Sequence, residues 1–384
     1  MLFRHFFICV PVIALKEWAT TNLAATIFTL KIISIMSNKT IQGETGMFAG
    51  KDYVGLLFPA EQLQAVYNST TGEHFEAGRD YLLSPDARQL WLTKTSRIPQ
   101  ILTAELQPPK EKCIFYPAPN HNAINGGVAG TPLLFNNESY FARQQIEIDY
   151  NTAEYDFPSL PVFPERLRLS KDRLRNPNGE CKIVCLGDSI TDGYNASQRL
   201  NFPPYQPCYA ELLGQRLCSY YKSKISLRNL GVNGTSSLAA LTDPGRWLSE
   251  QPDLLVIAYG MNDLQRMSAA EFADVIRRIM RLAETTNPAC ECLLVASMPG
   301  NQLWANTPPA AAQAFAAALR SLAAQEPNAA VADVHCVWQE LLRRKSFYDL
   351  TGNGVNHPND FGHRVYAETI LALLLDQDQL NWTR

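Results

Sequence analysis

Between about Gly50 and Tyr150 the apolar positions fall in short runs rich in aromatic and branched residues: YVGLLF, QLQAVYN, QLWLTK, RIPQILTAEL, CIFYPA and RQQIEIDYN. Segments such as STTGE, SPDAR and PAPNHNAINGGVAGTP separate them with turn-forming residues. QQIEIDY alternates, the period of a strand with one face buried and one face wet. No useful stretch repeats every three to four residues. The pattern predicts an all-β sandwich over this part of the chain.

The next segment is different. Pro158, Pro161 and Pro164 stiffen it, and RLRLSKDRLRNPNGE is too polar to be expected in a core, so it reads as a linker. From Cys181 onward, apolar runs (KIVCLG, SLRNLG, DLLVIAYG, CLLVAS, AAVADV) alternate with helical patterns. Those helices are expected at about Cys208–Tyr221, Ala269–Thr285, Ala310–Gln325, Val337–Lys345 and Gly362–Leu375. Continuously apolar strands separated by helices predict a parallel sheet covered on both faces, a doubly wound α/β domain. The chain therefore divides into residues 1–40 (an apolar N-terminal segment), 41–157 (β domain), 158–180 (linker) and 181–384 (α/β domain).

Composition narrows the picture. The 384 residues suit two domains, and 46% hydrophobic against 18% charged residues supports a sizeable core. A net charge of -3 without any Lys/Arg run excludes electrostatic nucleic-acid binding. Nine cysteines lack zinc-like spacing and read mostly as small core residues, which leans toward a reducing, cytoplasmic compartment. The N-terminus points the other way. Phe6 to Leu15 is an apolar stretch of signal-peptide size, although Lys16-Glu17-Trp18 follows it without a clear cleavage site. Neither it nor LAATIFTLKIISIM reaches the roughly 20 apolar residues of a membrane span. A signal peptide (secreted or periplasmic protein), a peripheral anchor and sequence upstream of a start at Met36 all fit.

Candidate chemistry lies at the ends of the predicted α/β strands. Ser189 follows the first strand, in GDSITDG. Alone it reads as a helix cap or as a nucleophile. Gly234 follows the second strand in NGT, Asn262 follows the third in GMND, and His357 precedes the last helix in NHPNDFGH. Each has a bland reading: turn glycine, cap, loop histidine. Together they supply a hydroxyl, an imidazole to take its proton, and N–H donors for an oxyanion. Asp188 and Asp192 are expected to hydrogen-bond the turn around Ser189. His363 is expected to pack in the last helix, since its i, i+6 spacing from His357 does not make a metal pair. Tyr205 and Trp304, in long loops at the same end of the sheet, would suit stacking on a sugar ring or covering the core edge.

These four blocks, in this order and spacing, resemble those of the SGNH/GDSL hydrolases, from about Lys182 to Leu375. The resemblance implies a flavodoxin-like three-layer fold and a serine esterase, with Ser189 as nucleophile and His357 as general base. Gly234, Asn262 and the Ser189 N–H would form the oxyanion hole. Neither a metal nor an organic cofactor is implied. Some carbohydrate esterases of the family carry a β jelly roll as well, so the implied substrate is an O-acyl, notably O-acetyl, ester of a saccharide. A lipase, thioesterase or acyltransferase, or a decayed carbohydrate-binding protein, are the alternatives. One position departs from the family: the aspartate usual three residues before the histidine is here Gly354. The expectation is a Ser–His dyad with the imidazole held by a backbone carbonyl, with Asp349 as the alternative acid. The oligomeric state is open.

Overall fold

The computed structural model describes residues 39–155, 157 and 165–375. The apolar segment 1–40, apart from its last two residues, and most of the proline-rich start of the expected linker lie outside them. In the strand-rich N-terminal region, β1 (Lys39–Gly46), β2 (Gln62–Asn68) and β3 (Ile146–Thr152) join the two-residue strand Glu73–His74 in an antiparallel sheet. β3 lies between β1 and β2, and its side chains alternate in burial as the sequence predicted. A second antiparallel sheet comprises Tyr53–Gly55, Gln89–Leu92 and Tyr81–Leu83. Ile41, Val66, Ile146 and Ile148 from the first sheet and Val54 and Leu90 from the second belong to one apolar core. Of two predicted strands, one is cut short and the other is absent. RIPQILTAEL gives only Gln100–Ile101 before a short helix, Thr103–Leu106, and CIFYPA is a loop whose Ile114 and Tyr116 face solvent. Pro117 inside CIFYPA and Pro119 directly after it lack the backbone donors that a ladder needs.

The expected linker is partly structured. Its charged run forms α1 (Arg168–Arg175), with Leu167, Ser170, Lys171 and Leu174 buried at helical spacing. The Glu291 carboxylate accepts from the backbone N–H of Leu169 (3.2 Å) and Ser170 (2.7 Å), the otherwise unpaired donors of this first turn. Polar composition thus concealed an amphipathic helix.

Five parallel strands follow: β4 (Glu180–Gly187), β5 (Lys224–Asn229), β6 (Leu254–Ala258), β7 (Glu291–Val295) and β8 (Ala329–Ala332). Their spatial order is β5-β4-β6-β7-β8, the doubly wound order that the family resemblance implied. β6 and β7 are buried at every position, whereas β5 lies at the edge, which explains its more polar sequence. The covering helices are α2 (Tyr209–Tyr220), α3 (Ala269–Thr286), α4 (Pro309–Gln325), α5 (Val334–Leu341) and α6 (Asp360–Leu374). α3 begins where a capping box of Ser268 and Glu271 sets it. α5 starts three residues before the expected Val337, because Asp333 caps it by accepting from Cys336 N–H, and it ends before Lys345. Lys345 instead enters a fully buried ion pair with Glu44 of β1, 2.6 Å apart. The apolar core also runs through both regions, joining Ile148 and Tyr150 to Trp338, Leu341 and Phe361. Among the described residues no helix is long and apolar enough to cross a membrane.

Candidate active site

β4 ends at Gly187, where a side chain would collide with Thr191 and the Ala258 carbonyl. The cap of the short helix that follows (Ser189–Asp192) is Asp188, whose carboxylate accepts from Ile190 N–H at 3.0 Å. Ser189 is the first helical residue, so its hydroxyl is not used in capping. Its Oγ lies 2.8 Å from Nε2 of His357, across 168 residues of chain. Both side chains are buried. Asp192 departs from expectation: it faces Arg199 at 3.4 Å.

His357 sits on a loop closed on itself. Gly352 N–H (2.9 Å) and Thr351 Oγ1 (3.0 Å) donate to its carbonyl, and Asn353 Oδ1 accepts from the N–H groups of Val355, Asn356 and His357. The Tyr194 ring packs beside the imidazole, 5.7 Å between centroids. Burial, with a smaller contribution from His363, pushes the His357 pKa down to about 3. The imidazole is therefore neutral at ordinary pH, the form that can accept a proton.

The partner of Nδ1 differs from both expectations. It is a side-chain carbonyl, Asn195 Oδ1, at 2.7 Å. Asn195 Nδ2 donates to the Gly352 carbonyl at 3.1 Å, which fixes the amide with its oxygen toward the histidine. An oxygen at that distance accepts the Nδ1 proton and leaves Nε2 as the acceptor facing Ser189. A second amide nitrogen, Asn353 Nδ2, approaches Nδ1 to 3.0 Å and can pair only with the opposite tautomer. Asp349 takes no part: its carboxylate accepts from Met47 N–H and Ser346 N–H, both at 2.7 Å. The departure at Gly354 also has a cause. Its φ is +90°, and a Cβ there would lie 2.6 Å from both the Leu134 carbonyl oxygen and the Phe141 ring. The strand-rich region occupies the space an aspartate would need.

Gly234 and Asn262 lie on the loops after β5 and β6, the two strands that flank β4. Gly234 has φ +75° and open space where a side chain would project, so conformation rather than crowding requires glycine. Asn262 Nδ2 donates one hydrogen to the Thr235 carbonyl at 2.9 Å, tying the two loops together. The buried Asp263 reinforces the tie by accepting from Ser237 N–H (2.9 Å) and Oγ (2.6 Å). Val232 N–H donates to the Gly187 carbonyl (3.0 Å) beside the turn that carries Ser189. Burial raises Asp188 to about 7. The fold thus joins Ser189 to His357 directly and sets Gly234 and Asn262 on the adjacent loops of the same sheet end.

His363 packs as expected, buried, with Nδ1 accepting from Tyr209 N–H at 3.3 Å. Tyr205 is 53% exposed, but Trp304 is only 9% exposed and donates Nε1–H to the Asn125 carbonyl, so it covers the core edge instead of offering a stacking face. Asn195 and Asn353 were missed. The available signal was Asn195 itself, six residues after Ser189 at the end of GDSITDGYN; its left-handed backbone (φ +64°) is one that asparagine tolerates.

Residues 185–365 match the GDSL-like lipase/acylhydrolase family. No match was found among curated proteins. Solved structures that are similar include Axe2, an acetylxylan esterase from Geobacillus stearothermophilus (18% identity, 55% of this chain and 99% of that one, TM-score 0.43). Others are LAE5, an alpha/beta hydrolase enzyme from the metagenome of Lake Arreo (20%, 50% and 94%, 0.42), and a member of the lipolytic G-D-S-L family from Veillonella parvula (18%, 51% and 99%, 0.41).

Proposed function

Because the segment 185–365 belongs to the GDSL-like lipase/acylhydrolase family, whose members hydrolyse esters, we propose that this chain is a serine esterase acting through Ser189, His357 and Asn195. The observation that carries the assignment is the buried 2.8 Å contact between Ser189 Oγ and His357 Nε2. Nε2 takes the hydroxyl proton as Oγ attacks the acyl carbon. The negative charge on the former carbonyl oxygen falls to the N–H groups of Ser189 and Gly234 and to the Asn262 amide hydrogen not engaged by Thr235. His357 then protonates the departing alcohol, and water repeats the sequence on the acyl-Ser189 ester. Throughout, Asn195 Oδ1 holds Nδ1–H. Being uncharged, it orients the imidazolium without the full stabilisation a carboxylate would give.

The substrate of this reading is an O-acyl, specifically O-acetyl, ester of a saccharide. Its support is the resemblance to carbohydrate esterases of the family that carry an added β domain. Replacing Ser189 by Ala should abolish hydrolysis of p-nitrophenyl acetate with unchanged circular dichroism; retained turnover would remove Ser189 from the mechanism. A p-nitrophenyl ester series should favour acetate. Activity that rises with acyl chain length would transfer the assignment to a lipase or thioesterase.

A further inference from the structure

The strand-rich region lies outside the matched family segment, yet one of its loops is docked on the loop that carries the histidine. Residues 113–137 run along the C-terminal edge of the α/β sheet. Val128 N–H donates to the Leu303 carbonyl (2.7 Å), Ala305 N–H to that of Gly126 (2.8 Å), and Asn136 N–H to that of Asn353 (3.4 Å). Leu133 and Phe135 bury themselves against Trp304 and Val355, and Val355 is two residues before His357. Asn353, reached by this loop, is the residue whose amide lies 3.0 Å from the catalytic imidazole.

On top of this base stands a fixed aromatic group. His121 stacks on the buried Phe135 (5.4 Å, 29°), and Tyr116 meets both rings edge-on, at 5.1 and 5.3 Å. Both His121 nitrogens are engaged: Nδ1–H donates to the Ala118 carbonyl (3.1 Å), and Nε2 accepts from Asn137 N–H (3.3 Å). The imidazole is therefore a fixed strut. Tyr116 remains 45% exposed above it. Asn136, whose Nδ2 donates to the His121 carbonyl (3.1 Å), and Asn137, whose N–H donates to His121 Nε2, border the group, both half-buried. A rigid exposed ring bordered by amides presents an apolar face next to paired donors and acceptors. A pyranose has the complementary surfaces, C–H groups on a face and hydroxyls at its edge.

We propose that loop 113–137 is the wall of the cleft that binds the alcohol half of the ester, with Tyr116 the stacking platform for a sugar ring. This rests on the saccharide-ester reading above. The test is steady-state hydrolysis of two acetates by the full chain: an O-acetylated gluco-oligosaccharide, followed by acetate release, and ethyl acetate, whose alcohol has no ring to stack. Tyr116→Ala should raise KM for the oligosaccharide about tenfold with kcat little changed, and should leave ethyl acetate unaffected. Tyr116→Phe should behave as the wild type, since the ring face is kept. An unchanged KM for the oligosaccharide in Tyr116→Ala would overturn the proposal. So would equal losses on both substrates, which mark a purely structural role. If the wild type cleaves ethyl acetate but no acetylated saccharide, the substrate reading itself fails and this wall falls with it.

Discussion

Two amides compete for one nitrogen of His357, and replacing Asn195 by Ala removes the one that holds the productive tautomer. In the wild type Asn195 Oδ1, at 2.7 Å, accepts Nδ1–H, and Nε2 is free to take the Ser189 proton. Without Asn195, the amide nitrogen of Asn353, 3.0 Å away, is the near partner of Nδ1, and it can only donate. The proton then moves to Nε2, and Ser189 faces an N–H instead of a base. In serine hydrolases the wrong tautomer costs up to about 10⁴ in kcat. Because the lost partner here is neutral, we expect a fall on the order of 10³, about 4 kcal/mol of barrier, with KM for p-nitrophenyl acetate unchanged. Two companions locate the cause. Asn353→Asp retains an oxygen for its three backbone N–H donors but removes the competing amide nitrogen, and should stay active. Asn195→Asp puts a charge beside Nδ1 and should move the acid limb of kcat/KM upward by roughly 1–3 pH units, since an opposite charge favours the imidazolium. The ¹⁵N shifts of the His357 ring report the tautomer in each variant. An Asn195→Ala enzyme within threefold of wild-type kcat would refute the reasoning.

Burial holds His357 near pKa 3 rather than the usual 6.5, so the neutral base persists as pH falls, and kcat/KM should stay level from pH 8 to below 5. An inflection near pH 6.5 that survives in both Asp188→Asn and Asp360→Asn would contradict this, those substitutions having removed the carboxyl groups that burial raises to about 7 and about 6. Asn262→Ala should lower kcat about 10²–10³-fold without changing acyl-chain preference, and an unaffected rate would take Asn262 out of the oxyanion site. Glu44→Ala strands the fully buried Lys345 ammonium, which also donates to the Gly55 carbonyl at 2.7 Å. The loss should be roughly 3–5 kcal/mol, read as a fall in Tm on the order of 10 °C. A calorimetric Tm equal to the wild type would mean that the pair holds nothing together.

The sequence by itself settled the alternation of strand and helix from Cys181 onward, because a strand buried on both faces must be apolar throughout and a helix must repeat at its own period. It also set where α3 begins, through the Ser268–Glu271 box, and which two side chains could form a hydroxyl–imidazole pair. Local pattern misled where tertiary packing outweighed it: a charged run became the amphipathic α1, and an apolar one, CIFYPA, remained on the surface as a loop. Only the tertiary structure decided how the histidine is held. Asn195 and His357 are 162 residues apart in the chain, and nothing local links them. Gly354 stands where an acid is usual because Leu134 and Phe141, more than 200 residues away, fill the space. Periodicity and capping act between near neighbours and can be read along a chain, whereas steric exclusion and hydrogen-bond choice among distant residues exist only once folding has brought them together.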